Sequence, residues 1–524
     1  MAPWLPLVLA AVWLVALAVD FRDVVQAIFA NSDFASAPVI GELYDERDGG
    51  PVVLGNFPWY STLWFEQLTA GLPAHRQIWQ VGPWLFALLG VGAAAWATWR
   101  AAGAWAAMIV AVALGCAGPA LLNFQFGLSL HSPAYTHVCL LGAFLVLCAE
   151  HGGRVGNRAV HVALCGALAA VTAVGLASDE LLLPAGIAPF LLAAAALVRL
   201  LPPPAGRRIV VSAVAIAAFA AVGSRILVDV MEDAGVVAAP FDVVFAQWDR
   251  LVPNLRLLAH SLAFMFNGDF GGARIGLRSV VELASAVAVL AAVVAVVRHA
   301  RRWIPAVAAT VDEDPREAAR RAHVAFWLAA GAVLAATFVL SSVPVDKYTA
   351  RYVLSVGYAV VVLVAVAAAA HPTSRAVVAA GVSLVVAGGV AGLVRGDLQD
   401  QVIASGDLSG PLERLARAEG VEHGYAGYWT AAPVTWQTRT RLRLYPVRTC
   451  TGSPTLCPYP FHRIDNWYKP RSGEGSLLVV DPRQTQAGAP TGPDPAFGPP
   501  RRTVRVDHAT VYVYGYDIAS RLGR

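Results

Sequence analysis

Charge is what this chain has least of. Asp, Glu, Lys and Arg together make up 14% of its 524 residues, while 57% are hydrophobic and the mean hydropathy is +0.58. Ordinary soluble domains carry about 25% charged residues, so a water-soluble chain is excluded and a membrane protein is indicated. Lysine is nearly missing: Lys347 and Lys469 are the only two. No region is strongly basic with interleaved aromatics, so nucleic-acid binding has no support. Six cysteines are present, and none forms a CxxC pair, so neither a zinc site nor a thioredoxin-like motif is indicated. There is no internal repeat.

What is abundant is apolar runs. The first, at 3–19, has no basic segment before it and no small-residue cleavage site after it, which predicts a retained helix in place of a signal peptide. Further runs lie near 83–99, 102–122, 132–149, 159–177, 183–200, 208–227, 279–297, 323–342, 352–370 and 376–394. With the first they make roughly eleven spans by length and hydropathy.

Arginines set the orientation. Arg100, Arg154, Arg158, Arg199, Arg207, Arg208, Arg298, Arg301, Arg302, Arg316, Arg320, Arg321 and Arg375 all fall on the side that holds the N-terminus. That side is cytoplasmic by the positive-inside rule, which predicts a multi-pass protein of the plasma membrane. An odd number of spans then puts the C-terminal tail outside, where Cys450 and Cys457 could pair. The longest cytoplasmic piece, around 299–323, is short and lacks a Gly-rich phosphate loop, so no nucleotide sugar or ATP is held inside. The polar material is exported: loops 21–81 and 229–278, a short turn at 341–351, and the tail. Two domains are expected, a transmembrane one over 1–395 and an exported soluble one over 396–524. The tail reads as a small α/β domain, with helices near 411–419 and 431–439 and strands near 424–428, 441–447, 476–480 and 503–514.

The first exported loop is where chemistry at a bilayer surface has most to work with. Asp33 follows Asn31 and Ser32 just after the first span, Pro38 is expected to open a short helix to Glu46, and a second amphipathic helix is expected from Pro58 to Ala70. A loop acid such as Asp33 serves as readily to cap a helix as to move a proton. A second acidic spot, Ser178-Asp179-Glu180, lies in a turn too short to be a solvated loop, where ionisable groups are costly. His131 and His137 bracket the preceding exported turn; two histidines without a third ligand do not make a metal site. The loop at 229–278 reads as a membrane-surface helix over 241–266. Tail aromatics Tyr425, Tyr428, Trp429, Trp436, Trp467 and Tyr468 could stack on sugar rings or form the domain's core.

The layout of a retained first helix, a loop with an early Asp and two juxtamembrane helices, many spans and an exported α/β tail resembles the GT-C superfamily of membrane glycosyltransferases. The stretches Asn31-Ser32-Asp33, Gly55-Asn56-Phe57-Pro58-Trp59-Tyr60, Pro73-Ala74-His75-Arg76 and Gly424-Tyr425-Ala426-Gly427-Tyr428-Trp429 are similar to uncharacterised actinobacterial members. The resemblance implies that Asp33 is the catalytic base and that the donor is a polyprenyl-phosphate sugar. An acceptor hydroxyl must lose a proton as it attacks the anomeric carbon, so a carboxylate in reach is required. The leaving lipid phosphate needs cations, for which Lys347, Arg351, Arg76 and Arg274 stand on the exported side. Asn31, Asp179, Glu180, His131 and His137 are the candidates to hold the acceptor or its sugar. In known members a basic segment can stand where Ser178-Asp179-Glu180 stands here, and this sequence departs from that pattern. No cofactor is expected, a divalent cation being possible but unsupported. The partners implied are the lipid-linked sugar, an envelope glycan or glycolipid acceptor and the bilayer. The rival readings are a catalytically silent envelope-assembly scaffold and a transporter or flippase. Transport calls for ionisable groups at mid-depth, and the apolar runs nearly lack them.

Overall fold

The computed structural model describes residues 4–55, 60–116, 118–126, 131–239, 243–271, 275–307, 314–395, 408–451, 455–484 and 488–523. Its helices, in chain order, are α1 (Leu5–Phe29), α2 (Ser32–Glu42), α3 (Tyr60–Thr69), α4 (His75–Ala102), α5 (Ala104–Gly115), α6 (Pro119–Phe126), α7 (Ser132–Glu150), α8 (Arg158–Ser178), α9 (Ala188–Leu200, entered through a π-helical turn from Leu183), α10 (Pro203–Asp233), α11 (Leu251–Met265), α12 (Leu277–Val307), α13 (Pro315–Leu340), α14 (Leu354–Ala368), α15 (Pro372–Arg395), α16 (Ser409–Glu419) and α17 (Tyr428–Gln437).

Among the described residues ten helices are long and apolar enough to cross a membrane, and α5 with α6 make an eleventh if that pair, bent by 89°, is one span. The bend falls just before Pro119, which lacks the N–H needed to continue a helix. Two expectations are corrected. The first helix does not stop at residue 19 but runs on through Asp20, Arg22 and Asp23 to Phe29, because a helix ends where its hydrogen bonds end and not where its hydropathy falls. The expected surface helix over 241–266 is shorter, beginning with a 3₁₀ turn at Trp248–Arg250 before α11.

The chain forms two compact units. One comprises residues 1–20, 81–227 and 242–397, and the other 21–80, 228–241 and 398–524. In the helical unit α13 packs against α7, α9 and α14, burying Phe326, Trp327, Ala330, Leu334 and Phe338. Its outer faces remain apolar: Val280, Leu283, Val287, Leu290, Val294 and Val297 recur at helical spacing along α12 and are all exposed. A stripe of that length calls for an apolar surrounding.

Among the described residues the second unit carries nine strands in two sheets. They are β1 (Val52–Leu54), β2 (Val236–Ala238), β3 (His423–Ala426), β4 (Arg443–Thr449), β5 (Leu456–Pro458), β6 (Arg463–Ile464), β7 (Ser476–Val480), β8 (Arg502–Val506) and β9 (Ala509–Tyr514). The larger sheet has the order β5-β4-β3-β7-β9-β8. Its centre is parallel, β3 pairing with both β4 and β7, with β9 antiparallel to β7 and β8. Parallel neighbours need a crossover, and α17 supplies it between β3 and β4. Leu412, Val434, Leu444, Leu477, Val479, Val511 and Val513 fill the core. The smaller sheet, β2-β1-β6, joins three remote parts of the chain: Val52 faces Val236 on one side and Ile464 on the other. Cys450 and Cys457 are disulfide-bonded, their Cα atoms 5.2 Å apart.

Two features of this unit carry predictions. A Cβ at Gly424, in the middle strand, would stand 2.6 Å from the Leu477 carbonyl oxygen and 3.2 Å from the Leu444 side chain. Gly424→Ala is therefore expected to lower stability by about 1–3 kcal/mol through overpacking, read as a fall in the melting temperature of the purified protein. Asp517, nearly fully buried, accepts hydrogen bonds from Tyr425 Oη at 2.8 Å, the Arg471 N–H at 2.9 Å and the Ala519 N–H at 3.1 Å. Burial pushes its carboxyl up, but these donors and His423 outweigh it and hold the group below its ordinary 3.8. Its contribution is thus complete above pH 3.8 and is lost as pH falls through the lower folded value. Asp517→Asn is expected to flatten that acid limb in melting experiments between pH 2 and 7, and to cost roughly 1.5–3 kcal/mol at neutral pH through weaker hydrogen bonds.

Candidate functional site

Asp33 sits in the first turn of α2, where a carboxylate is favoured by the exposed N–H groups and the helix dipole. Asn31 is the N-cap: its side chain accepts from the Asp33 N–H at 2.8 Å. That fixes a structural role for Asn31 and leaves the Asp33 carboxylate to other partners. The helix begins at Ser32 and not, as the sequence suggested, at Pro38, which lies inside it. Capping by Asn31 decides the start, and a proline two turns into a short helix removes only one hydrogen bond.

The chief partner of Asp33 comes from the far end of the chain. Tyr428 Oη donates to Asp33 Oδ1 at 2.8 Å, and Ser32 Oγ donates to the Tyr428 carbonyl. Asp33 and Tyr428 are both buried, at 8% and 3% exposure. Burial, then the adjacent Asp33 charge, pushes the Tyr428 phenol well above its ordinary range, so it stays a donor. The Tyr428 ring stacks on Tyr459, with centroids 4.6 Å apart and planes 11° apart, and is flanked by Phe461 at 6.3 Å and His462 at 5.7 Å. Burial drives the His462 imidazole down to about 3, leaving it neutral. A Cβ at Gly55 would come within 2.7 Å of the His462 ring, which is why this position has no side chain. The result is a buried carboxylate bonded to a tyrosine that is itself set in an aromatic cluster, an arrangement that can accept a proton from a hydroxyl beside rings of the kind that stack on sugars. The rest of the similar stretch, Asn56 to Trp59, lies outside the described residues.

Arg76, at the start of α4, does not stand ready as an isolated cation. Its guanidinium contacts both oxygens of Glu42 at 2.7 Å, donates to the Trp436 carbonyl at 2.6 Å and lies over the Trp436 ring, 4.1 Å from its centroid. Phe29 stacks on Trp436 at 5.4 Å. Beside them His75 meets the fully buried Glu66 at 2.7 Å.

The helical unit holds the remaining candidates in separate groups. His131 Nδ1 and Asp179 Oδ2 are 2.6 Å apart, both buried, with Tyr352 4.6 Å from the His131 ring. His137 uses Nδ1 on the Pro133 carbonyl at 2.6 Å, a local helix contact. Glu180 is exposed. Lys347 pairs with Asp269 at 2.8 Å, and His260 meets the same carboxylate at 2.9 Å. Arg351 lies over the Tyr352 ring at 5.1 Å. Arg274 lies outside the described residues. An apolar groove of about 210 Å3 runs among α5, α12, α14 and α15, lined by aliphatic side chains and Phe266. Among the described residues no cluster of three or more His, Cys, Asp or Glu side chains could hold a metal ion.

Of the tail aromatics, Tyr425 and Trp467 belong to the core, Trp467 stacking on Tyr445 at 5.1 Å, while Tyr428 and Trp436 serve the two clusters above. Tyr459, Phe461, His462 and Glu42 were not singled out by the sequence. The first three form a dense aromatic run after Cys457, which is the one local signal that marks them. Comparison with protein-family models, curated proteins and solved structures returns no match to this chain.

Proposed function

We propose that this chain is a multi-pass membrane glycosyltransferase of the GT-C kind, moving a sugar from a polyprenyl-phosphate donor to an envelope glycan or lipid acceptor on the outer face of the plasma membrane. The observation that carries the reading is Asp33: a buried carboxylate that accepts a hydrogen bond from Tyr428, whose ring packs against Tyr459, Phe461 and His462. In this reading Asp33 takes the proton of the acceptor hydroxyl as it attacks the anomeric carbon, the bond to the lipid phosphate breaks, and configuration inverts because a single direct displacement has no covalent intermediate. The apolar groove of the helical unit suits an isoprenoid chain. The N-terminus is cytoplasmic, and the tail with its disulfide is extracytoplasmic, where oxidation is maintained.

One observation favours a second reading. The bonds from Tyr428 to Asp33 and from Ser32 to the Tyr428 carbonyl also fasten α2 to α17, as a non-catalytic assembly scaffold would require. Glycosyl linkage analysis of the cell envelope separates the two, in a deletion strain complemented with wild type or Asp33→Asn at equal protein level. Restoration by wild type alone supports the transferase and names the linkage. Equal restoration by both excludes Asp33 as the base and leaves the scaffold.

A further inference from the structure

The sheet-bearing unit contains a cavity of about 790 Å3 that the transfer chemistry of Asp33 does not use. Its walls come from the polar end of α1, the first turns of α4 and the end of α17. Three guanidiniums line it, Arg22, Arg76 and Arg439, against a single lining carboxylate, Asp23. Arg76 is a fixed member, clamped by Glu42 and laid flat on Trp436. Arg22 and Arg439 are exposed and have no ion-pair partner among the described residues. Arg439 lies close enough to Arg76 for the two like charges to interact. It is held there by a left-handed backbone, φ 54°, followed by Thr440 at φ 57°, a conformation that residues with a Cβ adopt only under constraint. An arginine at a helix C-terminus is ordinarily explained by the helix dipole, but that does not account for Arg22 converging on the same space from another helix. Gln26, Gln77 and Gln80 add amide donors, and Phe29 with Trp436 gives the cavity an apolar side.

Guanidinium groups are forked donors matched to tetrahedral oxyanions. We infer that this cavity is a phosphate-binding site, in which Arg22 and Arg439 bind a phosphate monoester or diester and Arg76 supplies a fixed third cation. The position at the end of an apolar helix fits a phosphate carried by a lipid, and the same chemistry would take free phosphate. The inference deepens the transfer reading, in which Arg76 is a candidate for the donor's phosphate, and it fails separately from that reading because binding is measured without turnover and does not depend on Asp33 as a base.

The test uses the full-length protein in nanodiscs of zwitterionic lipid, titrated calorimetrically with farnesyl phosphate, farnesol and inorganic phosphate, with no turnover needed. Farnesyl phosphate is expected to bind and farnesol not to. Arg22→Gln/Arg439→Gln is expected to weaken farnesyl phosphate roughly 100-fold, about tenfold for each guanidinium removed, while Arg22→Lys/Arg439→Lys recovers part of the affinity. In the wild type alone, affinity is expected to fall as salt rises from 50 to about 500 mM, because exposed cations are screened. Displacement of farnesyl phosphate by inorganic phosphate at similar concentration identifies a soluble phosphate as the ligand, and failure to displace identifies the lipid. Undiminished binding in the double glutamine variant, affinity independent of salt, or no binding of either phosphate compound overturns the proposal.

Discussion

Asp33→Asn is expected to lower sugar transfer by about 10²–10⁴-fold, the range by which a positioned general base accelerates a reaction. The substitution isolates the proton chemistry. Asparagine keeps an Oδ1 acceptor for Tyr428 Oη, and the cap by Asn31 reaches the backbone N–H of residue 33 and not its side chain. The fold and the aromatic cluster should therefore persist, and a melting temperature equal to wild type is part of the expected result. Tyr428→Phe provides the contrast, since it removes one donor from the carboxylate but leaves the base in place. A transfer assay on purified protein with a polyprenyl-phosphate sugar should show a far smaller loss for it than for Asp33→Asn. Equal losses for the two variants would point to a positional role for Asp33 in place of proton abstraction.

Trp436→Ala should have the largest effect on stability, about 3–5 kcal/mol as for other buried tryptophans. The indole is 4% exposed and sits between the Phe29 ring and the Arg76 guanidinium. Its removal opens a void and ends both interactions, of which aromatic stacking alone is worth about 0.5–1.5 kcal/mol. Arg76 would keep Glu42 but lose the surface that holds it flat. The expected readout is a melting temperature several degrees lower in detergent, with earlier cleavage by protease near α17. Trp436→Phe, which keeps an aromatic face, should recover most of the loss, and an unchanged melting temperature in Trp436→Ala would show that this packing is not a pillar of the unit.

Helices were legible in the sequence where hydropathy alone decides them. The runs at 132–149 and 183–200 became Ser132–Glu150 and Leu183–Leu200 almost residue for residue, because a run about 20 residues long and nearly free of charge has one stable outcome in an apolar solvent. Where polar residues enter, the rule fails: α1 continues ten residues past its apolar run, carrying Arg22 and Asp23 into the cavity wall. The strands β3, β4, β7 and β9 were readable from their β-branched and aromatic runs, whereas β1, β2 and β6 were not. Two or three residues show no period, and those strands exist only through their partners. Asp33 was legible as a residue of interest, but its setting was not, since Tyr428 stands 395 positions away and nothing local in either segment announces the other. Lys347 shows the reverse case. It reads as an available cation until Asp269 is seen to hold it, a pairing of residues 78 positions apart.

The three-stranded sheet imposes an order on biogenesis. Val53 in β1 is made early, and its partner Arg463 in β6 only some 400 residues later; at about 5–20 residues per second that is roughly 20–80 s of synthesis. Throughout that interval β1 has an unpaired edge, and edges of this kind invite wrong partners. A chain cut short before residue 463 would leave the segments at 52–54 and 236–238 without their third strand. The sheet therefore works as a checkpoint on synthesis, closing only once the chain has been delivered past residue 464.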